Sequence, residues 1–234
     1  MITVDEVVAE LESRRDEKAL AGMAKYGIKV DKAYGWSVPE VRALAKRVVK
    51  ELGRRDPARH TFALDLWKTG SHEAQLLAGL VDLAEMVTEE QMEAWALDLD
   101  SWDVCDQLCN NLFGEAPLAW EKALEWSGRE EEFVKRAGFA LIAVFAWHAK
   151  TASDERFRPL LAAIEREAAD ERDYVKKAVN WALRNIGKRN VALHGEAVET
   201  ARRIAASGSR AARWVASGAL RELEGEAVGH RLRL

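Results

Sequence analysis

The sequence predicts an all-α fold built from many short, paired helices. Twelve helix-length amphipathic segments follow one another, most of them opened by a capping residue, and no convincing strand pattern interrupts them. Turns of two to six residues join most of them, which favours antiparallel neighbours. Faint internal similarity recurs at offsets of 37 and 41 residues, close to the range of HEAT-type helical repeats. We therefore predict an α-solenoid of about six antiparallel helix pairs, with the second helix of each pair lining a concave surface.

Two short motifs carry the repetition. Val-Lys-Arg-Ala at 134–137 recurs as Val-Lys-Lys-Ala at 175–178, and Ala-Leu-Arg at 182–184 recurs at 219–221. Each repeat of such a protein buries its apolar face only against its neighbours. We therefore expect a single HEAT-like repeat domain over residues 1–234.

The helix boundaries follow from capping residues and glycines. Thr3, with Glu6 at capping-box spacing, opens a first helix over about 4–23, and the segment 27–36 is the long irregular connection that follows it. Ser37 opens the second helix, since a proline and a glutamate fall in its first turn. The second and later helices are predicted at about 38–52, 57–70, 71–86, 88–99, 101–113, 117–127, 130–149, 154–168, 172–188, 194–207 and 209–223.

Stop and start signals justify the next three of these helices. Gly53 ends the second helix and Asp56-Pro57 opens the third, because aspartate and proline both suit a first turn. Gly70 ends the third helix, and Ser71 and Thr88 occupy N-cap positions of the two that follow.

Composition excludes several classes of protein. A chain of 234 residues that is 48% apolar and 32% charged predicts a helical soluble protein and excludes a disordered one. No run of eighteen apolar residues occurs and Met1 leads directly into a charged helix, so we expect no membrane span, no signal peptide and a cytoplasmic location. Cys105 and Cys109 are predicted to be buried thiols, and neither a metal nor a cofactor is expected. A capped solenoid can be monomeric, and we expect a monomer.

Charge is distributed unevenly along the chain. The net charge of −4 argues weakly against nucleic acid as a partner if it is taken as an average. Basic residues nevertheless gather at 42–50, 135–136, 176–177 and 184–189. A protein that segregates charge in this way can present one basic face.

The first group of candidate functional residues lies in the stretch 100–109. Taken as a helix capped by Asp100 or Ser101, it places Trp102 and Asp106 one turn apart on the same face. A carboxylate and an indole face suit a substrate that develops positive charge. The alternative is a core tryptophan followed by a solvated aspartate. Asp103 is assigned a structural role in the first turn.

A second group of candidates follows from the repeat. Arg136 and Lys177 occupy equivalent positions at an offset of 41, so we expect both to face one surface. Trp181 lies four residues beyond Lys177, and Arg184 and Lys188 continue that helix face. A basic stripe with one tryptophan is typical of a surface that binds a phosphate backbone. A solvated cationic face beside a core tryptophan is the alternative.

At these residues the chain resembles the bacterial DNA alkylation repair glycosylases of the AlkD type, which are built from HEAT-like repeats. The resemblance covers nearly the whole chain. Its motifs are Ser-Trp-Asp-Val-Cys-Asp at 101–106, Phe-Val-Lys-Arg-Ala at 133–137 and Tyr-Val-Lys-Lys-Ala-Val-Asn-Trp-Ala-Leu-Arg at 174–184. The resemblance implies that Trp102, Asp106, Arg136 and Trp181 line a DNA-facing cleft around the modified nucleotide.

The implied function is base excision repair of double-stranded DNA that contains alkylated bases. A monofunctional glycosylase would hydrolyse the N-glycosidic bond of cationic purines such as 3-methyladenine and 7-methylguanine, without flipping the base. Asp106 would stabilise positive charge on the deoxyribose, and Trp102 and Trp181 would pack against the sugar. Phosphates would be held by the basic residues Arg136, Lys177, Arg184 and Lys188.

The chain departs from the family pattern at two positions. Ser101 stands where well-matched members have an aromatic residue, and Val144 stands where they have a lysine. An N-terminal aromatic also contributes to the cleft in some members, and Tyr26, Tyr34 and Trp36 are all candidates for it. The alternative function is therefore a HEAT-repeat protein that binds damaged or branched DNA without catalysis. A third hypothesis is a protein-binding scaffold.

Overall fold

The computed structural model describes residues 2–233, in which helices are the regular elements. These residues form fourteen α-helices and three short 3-10 helices with no β-strand, so the all-α prediction is confirmed. The chain divides into two compact units, one ending at Pro117 and the other beginning at Leu118. Each unit has its own core. The single domain over 1–234 stays a prediction.

The first unit is built around one central helix, α5. Its seven α-helices are α1 (Val4–Ser13), α2 (Glu17–Lys25), α3 (Val38–Leu52), α4 (Ala58–Lys68), α5 (His72–Val81), α6 (Glu89–Asp98) and α7 (Trp102–Asn111). Two 3-10 turns lie at Ala84–Met86 and Phe113–Glu115. Helix α5 is apolar on most of its surface and packs against α3, α4 and α7. A helix buried on all sides in this way fixes the positions of its neighbours.

The second unit is built around α9 and α11. Its helices are α8 (Ala119–Trp126), α9 (Glu132–His148), α10 (Arg158–Glu167), α11 (Asp173–Gly187), α12 (Val191–Ala206), α13 (Arg210–Leu223) and α14 (Glu226–Leu232), with a 3-10 turn at Asp154–Arg156. Helix α9 packs against α8 and α11, and α11 packs against α12 and α13. Gly138 permits the close approach of α9 to the end of α8, because a Cβ there would lie 2.6 Å from the amide nitrogen of Ser127.

The prediction of one helix over 4–23 is wrong. The helix ends at Ser13, and a new one begins at Glu17. The cause is Asp16, whose carboxylate accepts hydrogen bonds from the amides of Lys18 and Ala19 and so caps α2. The Asp16 backbone N–H also donates to the carbonyl of Tyr34 at 2.8 Å. In a continuous helix this N–H would donate to a carbonyl four residues earlier.

Other parts of the helix prediction also differ, and α10 begins at Arg158 instead of 154 because Asp154–Arg156 forms a 3-10 turn. Helix α5 ends at Val81, well before 86, because Asp82 turns its carboxylate back to the Leu83 amide, 2.7 Å away. Helix α12 begins three residues earlier than predicted, since Asn190 caps it by accepting from the Leu193 amide. Helix α14 was not predicted at all.

Candidate active site

A cavity of about 500 Å³ lies in the first unit beside α7. Trp102 and Asp106 both line it, together with Asp103 and Gln107 from the same helix. The rest of the wall is mainly apolar and includes Met23, Tyr26, Ile28, Trp36, Val38 and Leu76. The prediction that Trp102 and Asp106 share one helix face is confirmed. An aromatic side chain and a carboxylate on an apolar wall can hold a group that carries positive charge.

The orientation of α7 follows from its buried side. That side is made of four small or apolar side chains, Val104, Cys105, Leu108 and Cys109. The two cysteines are buried thiols with no disulfide, as predicted. Because these residues face the core, the positions one turn apart on the other side, Trp102 and Asp106, face the cavity.

An aromatic pair from the N-terminal segment stands beside Trp102. The Trp102 indole N–H donates to the backbone carbonyl of Tyr26 at 3.0 Å, which fixes the plane of its ring. Tyr26 lines the cavity with 76% of its surface exposed, whereas Trp36 lines it while only 6% exposed. Tyr34 is not among the lining residues. The N-terminal aromatics at this cavity are therefore Tyr26 and Trp36.

A buried carboxylate holds the irregular segment that carries Trp36. Glu73 is completely buried on α5 and accepts backbone N–H groups from Tyr34 at 2.9 Å, Gly35 at 2.7 Å and Trp36 at 3.1 Å. Gly35 has φ +89°, and a Cβ there would lie 2.6 Å from the carbonyl oxygen of Asp16, so only glycine fits. The wall of the cavity is thus fixed to the central helix by three charge-assisted hydrogen bonds.

A histidine and an aspartate form a buried pair at the same cavity. His72 Nε2 lies 2.8 Å from Asp103 Oδ2, and both residues line the wall. Asp103 also accepts from the hydroxyl of Ser101 at 2.6 Å and from the amide of Val104 at 3.0 Å. His72 Nδ1 lies 3.9 Å from a Glu73 oxygen and makes no hydrogen bond with any described residue. Asp103 therefore has the structural role in the first turn that the sequence predicted.

The pair shifts the pKa of both groups. Burial lowers the pKa of His72, but the hydrogen bond and charge of Asp103, with the charges of Glu73 and Asp100, outweigh it and raise the pKa above 6.5. Burial raises the pKa of Asp103, but the hydrogen bond and charge of His72, with the bonds from Ser101 and Val104, outweigh it and lower the pKa below 3.8. The pair is an imidazolium and a carboxylate at slightly acidic pH.

We expect this pair to make stability depend on pH. Since the folded His72 pKa is raised, its contribution is complete below about pH 6.5 and is lost as pH rises through the raised value. The Asp103 contribution is present above about pH 3.8 and is lost as pH falls through the lowered value. Urea unfolding of the protein and of His72→Gln measures the loss of the His72 contribution. The pH range is roughly 5 to 9, in which histidines titrate.

We expect stability of the unchanged protein to decline above pH 6.5 and that of His72→Gln not to show this decline. His230→Gln, at an exposed histidine, is the matched control and should keep the decline. Identical pH profiles for the unchanged protein and His72→Gln would contradict the assignment.

In the second unit, the predicted basic residues do not share one environment. Arg136 is buried on α9, where its guanidinium donates to the backbone carbonyl of Tyr174 at 2.7 Å. Lys177 is exposed on α11. Their burial differs because α9 is buried from Val134 to Ala146 whereas α11 keeps one exposed side, and the expectation that both residues face one surface stays a prediction.

The rest of the predicted basic stripe is partly neutralised within the protein. Arg184 forms an ion pair with Glu222 on α13, and Lys188 lies 2.7 Å from the other oxygen of the same carboxylate. Burial raises the pKa of Glu222, but its hydrogen bonds to Lys188 and Arg184 and their charges outweigh it and lower the pKa. Trp181 is half-buried on α11, and no described residue accepts its indole N–H. Two cations and one carboxylate leave this face with a net positive charge.

The two positions that depart from the family pattern are both buried. Ser101 is the N-cap residue of α7 and bonds Asp103, so it supplies no surface to the cavity. Val144 lies in the core of α9. Ser101 therefore does not replace the aromatic contact with the substrate, and Val144 does not replace the lysine contact.

Sequence reasoning missed His72 and Gln107, which line the cavity, and the buried Glu73, which holds the segment that carries Trp36. His72 and Glu73 lie about thirty residues before α7, and only tertiary contacts connect them to it. Gln107 could have been found, because it follows Asp106 directly and sits one turn after Asp103 on the same helix.

Two further features are absent from residues 2–233. No three His, Cys, Asp or Glu side chains come together there in a way that could hold a metal ion. None of the helices in this range combines the length and apolar character needed to cross a membrane.

The fold defines an all-α repeat protein, and comparison with known proteins gives the family. The family of DNA alkylation repair enzymes matches residues 7–223, and the chain belongs to it. No curated protein matches the chain significantly.

Two solved structures are similar to the chain. One is described as a new family of proteins related to the HEAT-like repeat DNA glycosylases with affinity for branched DNA structures. It is 18% identical with a TM-score of 0.74, over 99% of this chain and 96% of that one, and the likeness confirms the α-solenoid fold. The other is a designed armadillo repeat protein in complex with the peptide (KR)4, 15% identical with a TM-score of 0.37 over 85% of this chain and 87% of that one.

Proposed function

We propose that the protein is a monofunctional DNA glycosylase that excises cationic alkylated purines, such as 3-methyladenine and 7-methylguanine, from double-stranded DNA. The observation that carries the proposal is the pair Trp102 and Asp106, side by side on the wall of a mainly apolar cavity. Membership of the DNA alkylation repair enzymes supports it. A base-flipping pocket is not required, since the sugar alone has to reach the two side chains.

The chemistry suits a single carboxylate. Alkylation at N3 or N7 makes the purine a good leaving group, so the C1′–N bond breaks with its electron pair passing to the base. The sugar becomes an oxocarbenium ion, which Asp106 stabilises by its negative charge. Trp102 packs against the sugar and adds cation–π attraction as the charge develops. Water then forms the new bond to C1′ and loses its proton to solvent.

Asp103 is proposed to support the site without touching the sugar. His72 and the Ser101 hydroxyl already engage its carboxylate, at 2.8 and 2.6 Å. Asp106, which lines the cavity one turn from Trp102, is proposed as the carboxylate for the substrate. Tyr26, the most exposed aromatic at the cavity, is proposed to pack against a neighbouring nucleotide.

The second unit is proposed to contact the DNA as well. Lys177, Arg184 and Lys188 would contact phosphates, and Trp181 would pack against a sugar with its unaccepted indole N–H available to a polar atom. Arg136 is proposed to contribute through its charge, since one of its donors is already used on a backbone carbonyl.

The ion pairs of Glu222 with Arg184 and Lys188 lead to a prediction about DNA binding. Glu222→Gln should release Arg184 and Lys188 from their internal counterion and tighten duplex binding at low salt, with a steeper salt dependence. Binding titrations of unmodified duplex at several salt concentrations measure it. Glu199→Gln on α12, which removes a charge paired with Arg202, is the control and should change affinity less. Weaker binding by Glu222→Gln would contradict the assignment of these cations to phosphate.

The central test is the release of free base from duplex DNA that contains 7-methylguanine. We expect release above the spontaneous rate, with unmodified duplex giving none. If DNA is bound but no base appears, the glycosylase proposal fails.

A second candidate function is binding of branched or damaged DNA without catalysis. Two observations favour it: Ser101 and Val144 are buried and provide no cleft contact where the family has an aromatic and a lysine. The similar structure of the protein family with affinity for branched DNA also supports it. Tighter binding to a four-way junction than to linear duplex, without base release, would be the expected result.

A further inference from the structure

A second cavity in the first unit is lined by positive charge. It has a volume of about 460 Å³ and lies between α3, α4 and α5. Four of its lining side chains are cationic, and no acidic side chain lines it. These are Arg42, Lys46, Arg54 and Arg59, with Ala45, Val49 and Leu80 completing the wall.

The helix geometry explains why the cations converge. Arg42, Ala45, Lys46 and Val49 are spaced as i, i+3, i+4 and i+7 along α3 and therefore form one face. Arg54 comes from the connection after α3, and Arg59 comes from α4. Three different segments thus bring positive charge to one place.

None of the four cations forms a salt bridge with a described carboxylate. Lys46 and Arg54 are exposed, and their side chains make no hydrogen bond to any residue in the described range. Arg59 is buried, with its guanidinium donating only to backbone carbonyls, including that of Val81 at 2.7 Å and that of Asp82 at 3.3 Å. By contrast, Arg47 on the same helix α3 is ion-paired with Glu10.

Leaving these charges uncompensated is unfavourable without a ligand. Like charges around one cavity repel each other, and burial lowers the pKa of Arg59 more than the charge of Asp82 raises it. The chain as a whole carries a net charge of −4, so the cluster does not reflect a generally basic surface. A bound anion would offset the repulsion.

We propose that this second cavity is a phosphate-binding site, and that its phosphate comes from the DNA backbone. Guanidinium and ammonium groups recognise phosphate through short, charge-assisted hydrogen bonds. Naming DNA as the source rests on the proposed function, whereas a free phosphate ion would use the same chemistry.

Arg42 connects this site to the candidate active site. Its guanidinium donates to the side-chain oxygens of Gln107 at 2.8 Å and Asn111 at 3.1 Å, both on α7. Gln107 also lines the cavity that holds Trp102 and Asp106. Arg42 would therefore bind the phosphate and at the same time hydrogen-bond to α7, the helix that carries Asp106.

The test is the double variant Lys46→Gln/Arg54→Gln, which removes two exposed charges and spares the buried Arg59. Its matched control is Lys50→Gln/Arg55→Gln, which removes two exposed charges from the same helix and the same connection outside the cavity. Both variants and the unchanged protein are titrated with short unmodified duplex over a range of salt and, separately, with inorganic phosphate.

A backbone phosphate at the site predicts duplex binding about tenfold weaker in the cavity variant, with a salt slope shallower by about 0.9, while the control changes less. Inorganic phosphate that binds the unchanged protein and not the cavity variant, with duplex affinity equal in both, would support the site with free phosphate as its ligand. Equal behaviour of the two double variants in both titrations would overturn the proposal.

Base release separates this proposal from the proposed function. Failure of the unchanged protein to release base would reject the glycosylase and leave the phosphate site to be decided by the two titrations alone.

Discussion

Replacing Asp106 by asparagine is expected to slow the release of 7-methylguanine about a hundredfold or more, the order for loss of one electrostatic contact to a transition state. The amide keeps the shape and removes the charge that stabilises the oxocarbenium ion. Duplex affinity should change little, since the carboxylate would act on the sugar and not on phosphates. Single-turnover base release at saturating protein measures the chemical step.

Asp65→Asn is the control for this prediction, because Asp65 is an exposed carboxylate of the same unit outside the Trp102 cavity. It should leave the rate unchanged. An Asp106→Asn protein that releases base at the unchanged rate would remove Asp106 from the reaction. The Asp103→Asn protein would then be the one to measure, since Asp103 is the other aspartate on the wall.

Replacing Glu73 by glutamine is expected to lower the free energy of unfolding of the first unit by about 3 kcal/mol, the order for breaking a buried charged hydrogen-bond network. The negative charge would be lost, and the new N–H₂ group at the Oε2 position would stand 2.9 Å from the Tyr34 N–H, from which it cannot accept. The N–H groups of Tyr34, Gly35 and Trp36 would then share one neutral oxygen at the Oε1 position, so the attachment of this segment to α5 would weaken. Urea unfolding measures the loss as a lower midpoint.

Glu51→Gln, at an exposed position on α3, is the matched control and should change stability by less than about 0.5 kcal/mol. If Glu73→Gln were as stable as this control, the negative charge of Glu73 would not be what fixes the cavity wall. A stable Glu73→Gln protein with slowed base release would instead assign Glu73 an effect on the reaction through Trp36 or His72.

The two places where phosphate is proposed to bind differ in their internal counterions. Arg184 and Lys188 share the carboxylate of Glu222, so a phosphate has to compete with it. The cavity on α3 holds no carboxylate in its lining, and Lys46 is not paired. Because an ion pair at a partly exposed surface adds little stability, we expect Glu222 to weaken DNA binding more than it stabilises the fold.

Much of the helical architecture was predictable because helix signals are local. The capping boxes at Thr3 and Ser37 form as their spacing predicts, and Trp102 and Asp106 share a face because a helix has 3.6 residues per turn. The break before α2 was missed although its cause, Asp16, is also a local signal, since it lies inside an otherwise continuous amphipathic pattern.

Burial could not be read from the repeat. Arg136 and Lys177 match in sequence, yet the first lies on a helix packed on nearly every side and the second on a helix with an exposed face. The burial of a helix depends on how many other helices pack against it. A motif of four residues does not contain that information.

Most of the helices, the family resemblance and the pair Trp102 and Asp106 could thus be predicted from the sequence, because each depends on residues within a few turns of one another. Only the tertiary structure placed His72 against Asp103, tied Glu73 to the segment at 34–36, and brought the cations of α3 and α4 around one cavity. These contacts join residues far apart in the chain, and they form only when the packing of apolar faces has fixed one helix against another.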